Sequence, residues 1–175
     1  MTRSAAIELL LLASWLGAAI LVATVVAPAA FRVLPTRTLA GALIGEVLPI
    51  VFMSGLAVAI AAVVLEARLG RNALRITATV PFVLMILGCA VAQFVIGPKI
   101  EIVRASIAGA VDALDVADPR RVQFGRLHGF SVMWMGVAMV GAAAAIVRRL
   151  FTISHPERSE GTARVREADR SLRSG

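Results

Sequence analysis

Residues 9–31 read LLLLASWLGAAILVATVVAPAAF and contain no Asp, Glu, Lys or Arg. A helix needs about 20 apolar residues to cross the hydrocarbon core of a bilayer. Three more runs without these charged residues occur at 47–65, 76–98 and 127–147. Backbone groups in lipid must find hydrogen-bond partners within their own segment, so each run predicts a helix and not an open strand. The sequence therefore predicts an all-α integral membrane protein, a bundle of four helices.

The composition points the same way. Hydrophobic residues make up 59% of the chain and charged residues only 17%, whereas a soluble domain is about half apolar and about a quarter charged. The net charge of +7 does not indicate nucleic-acid binding, because the largest group of cations follows the last apolar run, between Arg148 and Arg173. Such groups set membrane topology or contact anionic headgroups. We expect membrane lipid as a partner and no nucleic acid.

The chain divides into a transmembrane domain, 1–150, and a tail, 151–175. The predicted spans cover about 5–34, 38–66, 73–97 and 122–149. The tail is charged, rich in small residues and aperiodic, which favours disorder. Residue 3 and the motif Ala27-Pro28-Ala29 resemble parts of a cleaved signal peptide, but the apolar run between them is too long and the proline is unfavourable. We interpret the run as an uncleaved span.

The segment between spans three and four has a different pattern. Apolar residues recur in it at helical spacing, and charged residues fall mostly on the other side of the helical wheel. This predicts a short amphipathic helix over about 100–115, lying on the membrane surface or capping the bundle. Asp118-Pro119 predicts the N-cap and first position of the helix that leads into span four.

Orientation follows from the distribution of cations. An even number of spans puts both termini on one side, and more of the 18 Lys and Arg residues fall on that side than on the other. The positive-inside rule then predicts cytoplasmic termini in a bacterial inner membrane. If only the tail cations nearest the membrane are counted, the two sides become equal.

Up-and-down connectivity brings one end of every span to a common membrane face. An ionised carboxylate in the middle of a span costs about 3 kcal/mol to insert, and less near the interface. Glu46 therefore has two interpretations: it belongs to a small polar vestibule with Gln93 and His128, or it reaches from the interface to water. The polar residues that this face gathers are Arg32, Glu46, Gln93, Lys99, Arg126 and His128.

His128 opens the fourth apolar run. On a helical wheel it aligns with Ser131 and Met135, beside a line of small residues that includes Gly125, Gly129 and Gly136. Small residues permit close helix contact, so this side is predicted to face the bundle. The pair Gly41 and Gly45, spaced GxxxG, is predicted to permit a close contact in the same way. The candidate ligand-binding residues are Glu46, Gln93, Lys99, His128 and Ser131.

Three roles remain open for His128. It handles protons or contacts an anion together with Glu46, since histidine titrates near neutral pH. It binds a soft metal such as copper with Met135 and Met139. It makes a structural hydrogen bond. A bis-histidine haem is excluded, because the other histidine, His155, lies in the tail.

No familiar catalytic motif accompanies these residues. The chain has no nucleophile elbow, phosphate loop, carboxylate dyad or HExxH helix. The single cysteine, Cys89, cannot form an intramolecular disulfide and is expected to pack inside a span. We assign no catalytic residue and expect no metal or cofactor.

Four short motifs occur in order along the chain: Ala27-Pro28-x-x-Phe31, Gly41-x-x-x-Gly45, Gly97-Pro98 and Phe124-x-x-Leu127-His128-Gly-x-Ser131. This pattern resembles the transmembrane protein 205-like family, a four-span bacterial membrane domain of unknown function. The resemblance covers about residues 5–149 and implies an integral membrane protein. Four-span anthrone-oxygenase-like proteins have a similar layout.

Three functions follow from these observations. The first is a non-enzymatic membrane protein that binds or passes a small solute, ion or lipid at the face near Glu46 and His128. The second is a membrane enzyme that uses His128 as a base. The third is a structural subunit of a membrane complex. A homo-oligomer is expected because four spans are few for a complete transporter.

Overall fold

The computed structural model describes residues 3–68 and 76–154. They form four long helices, and the predicted all-α four-helix bundle is confirmed. Helix α1 consists of Arg3–Leu21, a π-helical turn Val22–Val26, and Ala27–Val33; helix α2 is Arg37–Arg68; helix α3 consists of Ile76–Ala90, a π-helical turn Val91–Ile96, and Gly97–Ala105; helix α4 is Pro119–Ser154.

All four helices are long and apolar enough to cross a membrane. Their outer surfaces are apolar as well: Leu10 on α1, Ile50 on α2, Phe94 on α3 and Val140 on α4 are each at least 60% exposed. Apolar surface of this extent would be unfavourable in water but suits contact with lipid chains. The chain is thus a multi-pass membrane protein.

The bundle core receives residues from every helix. Consecutive helices pack side by side and α4 returns to α1, so the four helices form a closed ring. Near its centre, Trp15 is buried and its indole Nε1–H donates to the carbonyl of Val51 at 2.9 Å. Gly55 makes room for this ring, since a Cβ there would lie 2.8 Å from the indole and 2.7 Å from Sγ of Cys89.

The closest helix contact joins α3 and α4 through two glycines. A Cβ on Gly88 would lie 2.7 Å from the backbone of α4 at Ala138, and one on Gly141 would lie 2.6 Å from the carbonyl oxygen of Pro81. The line of small residues predicted to make such contact was the wrong one. A Cβ on Gly125, Gly129 or Gly136 would meet nothing within 4 Å.

Two prolines explain the π-helical turns. Pro28 and Pro98 each follow such a turn by two residues. A proline has no N–H to give to the carbonyl four residues earlier, and its ring pushes that carbonyl away. The neighbouring N–H groups bond one residue further back: Ala27 N–H to the carbonyl of Val22, and Gly97 N–H to that of Ala92. Both turns lie in the same half of the bundle.

The predicted interfacial helix over 100–115 is wrong in its extent. Helix α3 continues through this region only to Ala105, and a 3-10 turn, Val111–Ala113, is the next helical element. Gly109, in the loop beyond the end of α3, has a φ of 118°, a conformation that favours glycine. The periodic apolar residues still point inward, and Val103 and Ile107 are buried.

Arginines from the start of α4 bond the carbonyl groups of this loop. Arg120 donates to the carbonyl of Ser106, and Arg121 donates to that of Leu114 at 2.7 Å. The predicted N-cap is confirmed, because Oδ1 of Asp118 accepts from the backbone N–H of Arg120 at 2.8 Å and Pro119 begins the helix. Hydrogen bonds from the side chain and backbone of Arg120 lower the pKa of Asp118 to about 2.

One end of the predicted segments lies beyond the described residues, and another differs from the structure. The predicted start of span three, at residue 73, falls between residues 68 and 76. The predicted disordered tail begins at residue 151, but α4 remains helical to Ser154. The rest of the tail, 155–175, lies outside the part of the chain that the structure describes.

Candidate functional site: a cavity at one end of the bundle

A cavity of about 660 Å³ opens at the end of the bundle where α1 and α3 end and α2 and α4 begin. This volume lies within the range of small-molecule sites, about 300–1,000 Å³. Apolar side chains, among them Leu48, Phe52 and Ile100, form much of its wall. The loop after α3 closes one side through Val111 and Asp112.

Four of the five residues predicted as ligand contacts line this one cavity. They are Glu46 from α2, Gln93 from α3, and His128 and Ser131 from α4. Ser131 is buried and Gln93 half-buried, whereas Glu46 and His128 are exposed. Lys99 is exposed and is not among the lining residues.

Glu46 has no partner among the residues that the structure describes. No ion pair or hydrogen bond within 3–68 and 76–154 involves its carboxylate. The cations predicted on the same membrane face do not line the cavity: Arg32, Lys99 and Arg126 are exposed outside its lining. The carboxylate therefore remains available to a molecule in the cavity.

His128 contacts an aromatic ring and not a carboxylate. Its imidazole lies parallel to the ring of Phe124, with 6.5 Å between centroids and 4° between planes. The guanidinium of Arg104 lies 6.0 Å from the centroid of the same ring. Phe124 thus links a titratable group and a cation at the cavity wall.

The side chain of Arg104 lies beside the GxxxG pair, in the space where a neighbouring helix was predicted to make close contact. Its Nη1 donates to Glu101 at 2.9 Å, and its Nη2 donates to the carbonyl of Gly41 at 3.5 Å. A Cβ on Gly45 would lie 3.2 Å from Nη1. The prediction of a close helix contact at Gly41 and Gly45 is therefore wrong, because a guanidinium fills this space.

A second arginine of the lining also faces a carboxylate. Nε of Arg37 lies 3.9 Å from Oδ2 of Asp112. Both side chains are largely exposed, so the pair contributes little to stability. It does tie the start of α2 to the loop after α3, and it places a neutralised charge at the rim of the cavity.

The two methionines that would bind copper together with His128 do not line the cavity. Met135 lies in the apolar core and Met139 packs against that core, and neither lines the cavity. Among residues 3–68 and 76–154, no group of three His, Cys, Asp or Glu side chains is arranged to hold a metal.

Comparison with known proteins identifies one family. Its sequence pattern, described as Domain of unknown function (DUF4149), matches residues 10–108, more than half of the chain. The chain belongs to the DUF4149 family. No curated protein and no solved structure matches it. The DUF4149 match includes Glu46, Gln93 and Arg104 but ends before α4, so His128 and Ser131 lie outside it.

This DUF4149 protein has a second polar cluster, at the end of the bundle opposite the cavity, which is not among the predictions made from the sequence. Arg149 on α4 is 1% exposed and bonds Glu8 of α1, which is fully buried. Its Nη1 also lies 3.0 Å from Oε1 of Glu66 on α2, and Arg148 reaches the same oxygen at 3.0 Å. Oε1 of Glu8 is buried without a hydrogen-bond partner.

A sequence signal for this cluster existed. Glu8 and Glu66 adjoin the ends of two charge-free runs, and Arg148 and Arg149 follow the end of the fourth. Up-and-down connectivity puts all four at one end of the bundle. Arg148 and Arg149 also belong to the cationic group after the last span, and as part of that group they indicate membrane topology.

Proposed function

We propose that this protein is an integral membrane protein that binds an amphipathic small molecule in the cavity around Glu46 and His128. The observation that carries the proposal is the convergence of four polar side chains from three helices on one cavity with apolar walls. Ligand sites in proteins have this character, a largely apolar surface with a few polar groups that fix orientation.

The wall suits a molecule with an apolar body and a polar group. Phe31, Phe52 and Leu48 supply apolar surface. Gln93 supplies an amide, and it belongs to the π-helical turn Val91–Ile96. Such turns are frequent at functional sites. A wholly polar solute would make no favourable contact with the apolar wall.

Binding accounts for the cavity better than catalysis does. A general base needs a partner that orients it and holds its tautomer. Within the described residues His128 stacks on Phe124, and no carboxylate bonds its imidazole. A role as a structural subunit does not explain why a cavity of this volume is present.

The membrane location is part of the proposal. The four spans and the motif order that resembles the transmembrane protein 205-like family support a bacterial inner membrane protein. The excess of cations on the side of the termini supports cytoplasmic termini. In that orientation the cavity opens on the other face of the membrane, away from the cytoplasm.

A blocked cavity tests the proposal. Ala42 lines the cavity and is exposed, so Ala42→Trp fills space without entering the core. Leu43, the next residue, is 45% exposed and lies outside the lining, so Leu43→Trp is the matched control. Equilibrium dialysis against protein in lipid nanodiscs measures binding of triphenylphosphine oxide, a neutral amphipathic probe.

The wild type and Leu43→Trp are expected to bind this probe at least about tenfold more tightly than Ala42→Trp, a difference of about 1.4 kcal/mol. Circular dichroism and gel filtration show that each variant is folded. Equal retention of the probe, and of charged probes of similar shape, by all three proteins would overturn the proposal.

A further inference from the structure

We propose that the cavity selects cations: its ligand is an amphipathic organic cation whose positive group pairs with Glu46 and whose apolar part lies against the aromatic wall. This inference rests on the proposed function and adds the chemical class of the ligand.

The charges of the lining carry the argument. Five charged side chains line the cavity, two arginines and three carboxylates. Arg104 is bonded to Glu101 and Arg37 faces Asp112. Each arginine is thus matched by one carboxylate, and Glu46 is the carboxylate that remains. The Arg, Asp and Glu side chains of the lining thus include one more carboxylate than guanidinium: Arg37, Glu46, Glu101, Arg104 and Asp112.

The position of Glu46 strengthens its attraction for a cation. It lies on α2 one turn before Pro49, and Leu48, Pro49 and Phe52 of the same helix line the cavity with it. A ligand that covers the exposed carboxylate among these apolar neighbours excludes water from it, and the attraction between opposite charges rises as the local dielectric falls. An anion at the same place would face repulsion of the same origin.

The aromatic wall has a matching preference. The faces of aromatic rings attract cations within about 6 Å of the ring centroid. Three phenylalanines line the cavity, and Arg104 already contacts Phe124 in this way. Phe31 and Phe52 are not paired with a cation within the described residues. They can contact both the phenyl groups and the positive centre of an organic cation.

The cations outside the lining do not reverse this balance. Arg32, Lys99 and Arg126 are exposed. At physiological ionic strength, water and salt screen such exposed charges. A ligand inside the cavity contacts only the lining, so its affinity depends mainly on the charge there.

Two probes of one shape and opposite charge test the selectivity. Tetraphenylphosphonium and tetraphenylborate carry the same four phenyl groups around a central atom. Binding is measured by equilibrium dialysis against nanodiscs, and the amount bound by Ala42→Trp nanodiscs is subtracted to remove partitioning into lipid. The wild type is expected to bind the cation at least about tenfold more tightly than the anion.

Glu46→Gln is expected to abolish this preference, so that it binds tetraphenylphosphonium no more tightly than tetraphenylborate. Asp115→Asn is the matched control, because it removes one negative charge at the same end of the bundle from an exposed residue outside the lining. It is expected to retain the full preference for the cation.

The outcomes separate the two proposals. If triphenylphosphine oxide binds but the wild type takes the anion as tightly as the cation, cation selectivity is overturned and the proposed function stands. The same holds if Glu46→Gln retains the preference. If none of the three probes distinguishes the wild type from Ala42→Trp, both proposals fail.

Discussion

Arg149, near the end of the last helix, bonds Glu8 of the first, 141 residues away in the chain. Both side chains are almost completely buried, and Arg149 also pairs with Glu66 of α2. One guanidinium therefore joins three helices at the end of the bundle opposite the cavity. The three helices are fixed relative to each other there. At the opposite end, the loop after α3 closes one side of the cavity.

Removal of Arg149 is expected to be strongly destabilising. Arg149→Leu leaves two buried carboxylates with one remaining cation, and loss of one partner from a buried pair costs about 3–5 kcal/mol. Arg126→Leu is the control, because Arg126 is exposed, and its free energy of unfolding should change by no more than about 0.5 kcal/mol. Denaturant titration in mixed micelles measures both. Equal stability of the two variants would contradict a buried ion network.

Removal of Glu8 together with Arg149 is expected to recover stability. The double variant Glu8→Leu/Arg149→Leu replaces a buried pair by apolar side chains, which is often neutral, and Glu66 keeps Arg148. Its free energy of unfolding should exceed that of Arg149→Leu alone. The same titration checks this. Additive losses for the two substitutions would mean that Glu8 and Arg149 do not interact.

Alanine at two glycines of α3 and α4 is expected to have opposite consequences. A Cβ at Gly88 would lie 2.7 Å from backbone atoms of α4, so Gly88→Ala forces the helices apart and costs about 1–3 kcal/mol. At Gly129 a Cβ meets nothing, so Gly129→Ala is expected to be neutral or slightly stabilising, because alanine favours a helix. Thermal unfolding in detergent distinguishes them. A larger loss of stability for Gly129→Ala than for Gly88→Ala would show that the Gly129 side of α4 packs against the bundle.

The cap of α4 is expected to depend on pH. Hydrogen bonds from Arg120 hold the pKa of Asp118 at about 2, below its ordinary value of 3.8. A depressed pKa means that the ionised carboxylate stabilises the folded loop above about pH 3.8, and that this stabilisation is lost as the pH falls through about 2. Carbon-13 NMR of the carboxyl group measures the titration. Arg120→Gln should move the midpoint toward 3.8, and a wild-type midpoint already at that value would contradict the hydrogen bonds.

The spans were predictable because lipid imposes a simple requirement on sequence. Each charge-free run, such as residues 9–31, had to be a helix, and an even number of helices had to return to one face. The placement of Glu46 and His128 at a common end follows from that connectivity alone. Ser131 followed from its register with His128 on one helical turn.

The lateral contacts were not predictable from small residues. Gly88 and Gly141 meet a neighbouring backbone, whereas Gly129 meets nothing. In a chain so rich in glycine and alanine, several sides of a helix carry small residues, and only packing decides among them. The loop after α3 was similarly ambiguous. Its apolar spacing fits a helix, but Gly109 and hydrogen bonds from Arg120 and Arg121 favour an irregular path.

The central claim is that Glu46 and His128 lie in one cavity open to one side of the membrane. Glu46→Cys and His128→Cys, each in a Cys89→Ala background, test it by reaction with a membrane-impermeant maleimide in oriented vesicles. Both positions are expected to react from the same compartment, and more slowly in Ala42→Trp than in Leu43→Trp. Reaction of the two positions from opposite compartments, or no reaction of either, would show that Glu46 and His128 do not share an open cavity.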